Sequence, residues 1–128
     1  MFRRWRKNAE VEESRIDWGE ITVQVVAAKD QITVAVAGRV TVDSSPNLRS
    51  ALLELLSRGT APVVIIELSA VSYLDTAGLA TLLEALKAAR EHSAKLRVAG
   101  IGGRARILAE IAQLDTIFRA SGSEVEFR

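Results

Sequence analysis

The stretch that most constrains the fold is a run of four β-branched residues at positions 63–66, which is followed by a leucine-patterned segment. Four consecutive β-branched residues are typical of a strand that is buried on both faces of a parallel sheet. The apolar period then changes to that of an amphipathic helix, whose apolar stripe consists of Leu79, Leu82, Leu83 and Leu86. The pattern predicts a central strand followed by a central helix.

The junction between this strand and this helix reads Leu74-Asp75-Thr76-Ala77-Gly78. Asp75 or Thr76 can accept a hydrogen bond from an N–H group of the first helical turn, and Gly78 allows close packing, as in a plain helix cap. The same residues present a hydroxyl at a helix start, where N–H groups are unpaired and the dipole favours negative charge. The junction is therefore either a cap alone or a cap that also accepts a phosphate.

Two apolar segments with the period of a strand precede the central strand. They occupy residues 21–28 and 32–36, and only a short connection around Lys29-Asp30 separates them. Strands joined by so short a connection must pair as an antiparallel hairpin. Gly38 is expected to end the second of them.

A first helix is predicted directly after this hairpin. Ser44 or Ser45 is placed to cap it, and Pro46 fits a first helical turn, where its missing N–H group costs nothing. A helix that connects two strands is a crossover, so the strand at 63–66 should lie parallel to the strand at 32–36.

The remaining chain predicts a short strand at 95–99, a third helix and one or two short edge strands. The helix is indicated by the apolar residues Ile107, Leu108, Ile111 and Leu114. The edge strands are suggested by Ile117, Phe118, Val125 and Phe127. The fold class is therefore α/β, a single domain with a four- to five-stranded mixed sheet in the order β-β-α-β-α-β-α-β, packed by three helices.

Charge divides the chain into a basic N-terminal tail at residues 1–18 and one domain at residues 19–128. The first eight residues carry the cations Arg3, Arg4, Arg6 and Lys7, which leave 13 basic and 16 acidic residues at positions 9–128. A mildly acidic body is not typical of a nucleic-acid binder. The tail is either a weak anchor for an anionic membrane or partner surface, or a solvated segment that the fold does not need. Glu10, Glu12 and Glu13, which follow these cations within the tail, disfavour membrane contact.

Composition narrows the chemistry further. The absence of cysteine excludes disulfides, thiolate zinc sites and a cysteine nucleophile, and it fits a reducing compartment. No apolar run approaches the roughly 20 residues that span a bilayer, and the N-terminus lacks the apolar region of a signal peptide. We therefore expect a soluble, cytoplasmic protein.

Two features leave an enzyme as an alternative. Gly100, Gly102 and Ala105 fit the dinucleotide pattern G-x-G-x-x-A, but too little chain follows to complete a cofactor site, and a tight strand-to-helix turn is the favoured explanation. His92 is the single histidine, and a cation near a helix end is favourable without any catalytic role. We expect no catalytic residue, no metal and no cofactor.

A longer run of sequence around the junction is specific to one family. From position 63 it reads Val-Val-Ile-Ile-Glu-Leu-Ser-Ala-Val-Ser-Tyr-Leu-Asp-Thr-Ala-Gly-Leu. This run resembles the signature of STAS domains, the fold of bacterial anti-sigma factor antagonists, in which a strand, an Asp-Ser/Thr-x-Gly-Leu turn and a helix carry the regulatory site. The similarity extends over about residues 21–118.

The resemblance implies a binding module rather than an enzyme. Antagonists of this family bind an anti-sigma factor that is also a serine/threonine kinase; the kinase phosphorylates the loop after the motif aspartate, and a phosphatase resets it. By resemblance Asp75 is the motif aspartate, Thr76 the first hydroxyl position and Gly78 the motif glycine. Ala77 stands where the family has a second hydroxyl, which leaves Thr76 as the phosphorylation site.

The resemblance also implies a partner-binding surface that includes neighbouring turns. Its candidate residues are Asp75, Thr76, Ala77, Gly78, Ser44, Ser45 and Gly102. A related branch, the cytoplasmic STAS subunit of bacterial lipid-transport ABC systems, shares the Asp-Thr-x-Gly-Leu-Ala wording and needs no phosphorylation. It is the alternative function.

Overall fold

The computed structural model describes residues 5–8 and 11–128, which contain seven strands and four helices. The strands are β1 Trp5–Asn8, β2 Val11–Asp17, β3 Ile21–Ala27, β4 Gln31–Val40, β5 Val63–Leu74, β6 Lys95–Ile101 and β7 Glu124–Phe127. The helices are α1 Ser45–Ser57, α2 Thr76–Glu91, α3 Gly103–Ile111 and α4 Leu114–Ala120. The described helices include none with the length and apolarity needed to cross a membrane.

The strands form one sheet in which their spatial order is their order along the chain. β1 to β4 pair antiparallel, as short connections require, and β4 to β7 pair parallel because helices connect them. Because the strand order never reverses and such crossovers are right-handed, all the helices lie on the same face of the sheet. The predicted α/β class, the hairpin and the parallel crossover are confirmed.

The core lies between that sheet face and the helices. Alternate residues of the inner strands are almost completely buried, among them Val25, Val34, Ile66 and Val98. The predicted stripe of α2 also packs inward, except that Leu83 is only partly buried. One expectation is wrong: β5 is not buried on both faces, since Val64 and Ile66 are buried while Val63 and Ile65 are half-buried on the other face. The helices cover one face only.

The sheet begins earlier than the predicted boundary at residue 18. Strand β2 lies inside the segment interpreted as a tail, and it pairs with β3 over six residues. Ser14 and Ile16 are 4% and 3% exposed, respectively, and they continue the core-facing rows of the sheet. The sequence did not predict this strand because its alternation of apolar and polar residues is weak. The predicted tail also includes residues 1–4 and 9–10, which lie outside the described residues.

We expect Ile16→Ala to lower the free energy of unfolding by about 2 kcal/mol, because it removes a fully packed side chain from the edge of the core. Arg15→Ala is the matched control, since its side chain is exposed on the other face of the same strand and should change stability by less than about 0.5 kcal/mol. Chemical denaturation of both variants measures the difference. Equal stability of the two variants would show that β2 is only loosely attached.

The C-terminal region differs from its prediction in two respects. The single third helix is divided at Gln113, whose left-handed backbone (φ 56°) separates α3 from α4. Ile117 and Phe118 lie in α4 instead of an edge strand, because helical spacing from Leu114 buries Phe118 completely in the core. The division at Gln113 raises the number of described helices from the predicted three to four. Because β1 and β2 were not predicted, the sheet has seven described strands rather than four to five. The last predicted edge strand is confirmed as β7.

Candidate functional site

The candidate site lies where the parallel strands β4 and β5 end. Val40 and Leu74 are register partners at these ends, and the next backbone N–H group, that of Asp75, donates to the carbonyl oxygen of Val40 at 3.1 Å. The turn at residues 41–44 therefore runs beside the junction between β5 and α2. We call this edge of the sheet, where the helices begin, the carboxyl edge.

The Asp75 carboxylate connects these two loops. Its Oδ1 accepts hydrogen bonds from the N–H groups of Ala77 at 2.9 Å and Gly78 at 3.1 Å, which caps helix α2. Its Oδ2 accepts from the N–H group of Val42, in the neighbouring turn, at 3.1 Å. Of the two residues that the sequence offered as the cap, Asp75 or Thr76, Asp75 is the N-cap residue, and its side chain holds both loops in a fixed relation.

Thr76 is the first residue of α2 and is exposed. Its hydroxyl makes no hydrogen bond within the part of the chain that the structure describes, so the group is available to an incoming molecule. The two residues that follow Thr76 are less accessible: Ala77 is half-buried and Gly78 is buried.

Gly78 serves packing. A methyl group added there would lie 2.8 Å from Cγ of Leu74 and 2.9 Å from Cγ1 of Val40, both tighter than ordinary carbon contacts. The absence of a side chain lets α2 start close against the ends of β4 and β5. The close packing expected from the sequence is therefore present.

The serines of the neighbouring turn are structural. Ser44 is 4% exposed; its Oγ accepts from the N–H group of Thr41 at 2.8 Å and donates to the carbonyl oxygen of Arg39 at 2.7 Å. Ser44 is the N-cap residue of α1, but its hydroxyl does not cap that helix. Ser45 is 6% exposed. Neither side chain is accessible to a partner, because the hydroxyl of Ser44 is hydrogen-bonded within the turn and both serines are buried.

Two exposed apolar residues in the segments around Thr76 were not predicted from the sequence. Val42 is 67% exposed, and its N–H group is the one bonded to Asp75. Tyr73 is 38% exposed, and the guanidinium of Arg39 lies 4.4 Å from the centre of its ring. The signal for Val42 was a lone apolar residue in a polar turn, between Thr41 and Asp43.

Gly102 lies at the start of α3, also at the carboxyl edge, but another residue covers it. It is half-buried, and a methyl group there would lie 2.8 Å from Nε of Arg128. Nη1 of Arg128 donates to the carbonyl oxygen of Ser69 at 2.6 Å, which places this side chain over the turn. The neighbouring Gly100 accommodates the hydroxyl of Ser69 in the same way. The two glycines therefore leave room for the neighbouring side chains of Ser69 and Arg128. This favours a tight strand-to-helix turn as the explanation of the G-x-G-x-x-A pattern.

The other residue considered for catalysis is at the opposite end of the central helix. His92 is the C-cap residue of α2 and is exposed, sixteen residues along the chain from Thr76. The site at the carboxyl edge is thus a hydrogen-bonded platform that presents one free hydroxyl, and the segments joined at Asp75 also carry the exposed side chains of Val42 and Tyr73. Such a surface is suited to binding and to modification of the hydroxyl.

Comparison with known proteins agrees with this architecture. A family model described as the STAS domain matches residues 22–126. The anti-sigma-B factor antagonist of Listeria monocytogenes is 32% identical over 97 residues, which are 76% of this chain and 84% of that protein. The anti-sigma-B factor antagonist of Staphylococcus epidermidis is 29% identical over 107 residues, 83% of this chain and 98% of that protein.

Solved structures share the fold. An anti-sigma factor antagonist from Mycobacterium paratuberculosis superposes with a TM-score of 0.70 at 24% identity, covering 80% of this chain and 87% of that one. The phosphorylated form of the Bacillus cell fate determinant SpoIIAA gives a TM-score of 0.64 at 10% identity, covering 83% and 90%. The chain therefore belongs to the STAS domain family, in which the relatives it resembles are bacterial anti-sigma factor antagonists.

Proposed function

We propose that this chain is an anti-sigma factor antagonist that binds a kinase-type anti-sigma factor through the carboxyl edge and is released when Thr76 is phosphorylated. The observation that carries the proposal is the exposed, unbonded hydroxyl of Thr76 on a platform held by the Asp75 carboxylate. The names of the relatives support the antagonist role. A structural relative that has a phosphorylated form supports the switch.

The site tolerates a phosphate within this domain. A phosphothreonine carries about −1.5 to −2 charges, and the start of α2 lessens the cost of that charge through its dipole and N–H groups. The adjacent Asp75 carboxylate already accepts three backbone N–H groups. Its charge repels the phosphate and keeps it directed outward, so the fold should survive the modification.

The effect of the phosphate is therefore expected at the interface. A partner that packs on Val42 and Tyr73 would surround a neutral hydroxyl, and an added dianion there would lose solvation without gaining a counter-charge. The partner is a serine/threonine kinase of the same regulatory system, and a phosphatase restores the unmodified state. Both act in the cytoplasm, where we place this chain.

Thr76→Glu tests the switch. We expect its melting temperature to stay within a few degrees of the parent value, and its affinity for the kinase-type anti-sigma factor of the same system to fall at least tenfold, about 1.4 kcal/mol, in titration calorimetry. Thr76→Ala should bind like the parent and accept no phosphate from the kinase. Thr116→Glu, at an exposed threonine in the first turn of α4, is the matched control and should bind normally.

Unchanged binding by Thr76→Glu would contradict the switch. A role that needs no phosphorylation, such as a cytoplasmic STAS subunit of a lipid-transport ABC system, would then be the better proposal. Phosphorylation of Thr76→Ala to the parent level would instead show that another hydroxyl is the phosphate acceptor.

A further inference from the structure

One face of the seven-stranded sheet has no layer of described structure against it. The helices pack on the opposite face, and the residues there are the buried ones. The residues that alternate with them point to the other side, which we call the open face. Val26 and Ile65 lie on the open face; both are half-buried, and neither belongs to the core or packs against it.

The composition of the open face is unusual for a solvated surface. Its centre contains the apolar or small half-buried residues Val26, Ala35, Val63, Ile65 and Ala99, with the polar residues Thr33 and Glu67 among them. Parallel strands occur almost always with both faces covered, whereas a solvated face normally carries polar residues. Apolar residues of this kind, rimmed by charges, are typical of an interaction surface.

One row across the open face is complementary to itself. From β2 to β6 the register partners are Glu13, Val26, Thr33, Ile65 and Arg97. When this row is placed opposite a reversed copy of itself, Glu13 lies opposite Arg97 and Val26 lies opposite Ile65. Thr33, at the middle, lies opposite Thr33 of the copy. A surface with this symmetry matches a second copy of itself across a two-fold axis.

We propose that two copies of this chain associate through their open faces, with the two-fold axis running along β4. Glu13 of each copy then faces Arg97 of the other, Val26 faces Ile65, and the two Thr33 residues meet at the axis. Packed sheets lie about 10 Å apart, a gap that glutamate and arginine side chains span together.

The proposed pairs can form at small cost. Within one chain the guanidinium of Arg97 lies 2.5 Å from both Glu124 Oε1 and Glu126 Oε1, but these side chains are substantially exposed, and such surface pairs exchange readily. Five strands about 4.8 Å apart make a patch of modest size, so we expect a reversible rather than an obligate dimer.

The dimer is independent of the proposed function. Thr76 and Asp75 lie at the carboxyl edge rather than on the open face, so either proposal can fail without the other. A dimer would leave both carboxyl edges free for partners.

Sedimentation equilibrium of the full chain over a hundredfold concentration range tests the proposal. We expect Glu13→Arg and Arg97→Glu each to weaken dimerisation at least tenfold, and the double variant to restore it, because only a pair that meets across the interface is rescued by exchange. Lys87→Glu, a charge reversal on the exposed side of α2, is the control and should dimerise like the parent.

A second variant covers the case in which Arg97→Glu fails to fold beside Glu124 and Glu126. Thr33→Asp places two like charges at the axis and should weaken the dimer at least tenfold, with an unchanged circular dichroism spectrum. A parent that is monomeric at every concentration overturns the proposal. A dimer that is insensitive to Thr33→Asp, or to the charge reversals, overturns it as well, because it must use another surface.

Discussion

Gly38→Ala is expected to lower the free energy of unfolding by about 4 kcal/mol, the largest effect of any substitution considered for this chain. Gly38 has a φ of +103°, a conformation that costs an alanine about 1–3 kcal/mol. The added methyl carbon would also lie 2.1 Å from the carbonyl oxygen of Glu20, and relieving such a collision costs about 1–3 kcal/mol more. That oxygen is the acceptor for the N–H group of Arg39.

Gly19→Ala separates the two contributions in this prediction. Gly19 also has a positive φ, +73°, but a methyl group there would meet nothing within 4 Å. It should therefore lose only the conformational part, about 1 kcal/mol. Urea denaturation of both variants measures the difference, and equal losses would mean that the backbone at Glu20 moves aside without cost.

Asp75→Ala is expected to lower the free energy of unfolding by about 3 kcal/mol and to abolish partner binding. The substitution removes the acceptor of three backbone N–H groups, those of Val42, Ala77 and Gly78. Hydrogen bonds to a charged group contribute about 1.5–3 kcal/mol each when their partners are shielded from water, but the bond to Val42 is exposed, so water replaces part of its contribution.

Asp75→Asn distinguishes the cap of α2 from the connection between the loops. Asparagine caps helices about as well as aspartate, so the amide oxygen can keep the bonds to Ala77 and Gly78. The amide nitrogen would then face the N–H group of Val42, and two donors cannot bond. We expect a loss of about 1 kcal/mol in stability together with clearly weaker partner binding, since the turn that presents Val42 is released.

The outcome for these two variants is readily judged by thermal unfolding and calorimetry. Asp75→Ala with a stability within about 0.5 kcal/mol of the parent would show that water replaces all three bonds. Asp75→Asn that binds a partner as tightly as the parent would show that the bond to Val42 plays no part in recognition.

The sequence determined the local elements whose signals are strong. The leucine period predicted α2, and the short connection predicted the β3–β4 hairpin, because period and loop length restrict the backbone directly. The helix start at Asp75 or Thr76 was also predicted, since capping depends on a few adjacent residues, and the structure decides between them in favour of Asp75. The resemblance to the STAS domain signature was also carried by adjacent residues at this junction.

Only the tertiary structure decided which side chains remain accessible. Ser44 and Ser45 look like partner contacts in the sequence, but the turn and the core bury them, while Val42, between two polar residues, is exposed. The role of Asp75 as a connection to Val42 depends on two loops 33 residues apart, brought together by parallel strands that end at one edge. Such a bond leaves no local pattern.

The extent of the sheet was likewise a tertiary property. Strand β2 has few apolar residues of its own and is specified by pairing with β3, which lets Ile16 complete a row of the core. The run at positions 63–66 predicted burial on both faces, but the order of the strands placed every crossover helix on one side. Local periodicity indicates strands that carry their own apolar pattern; only the packing of distant segments determines where the sheet ends and which of its faces is covered.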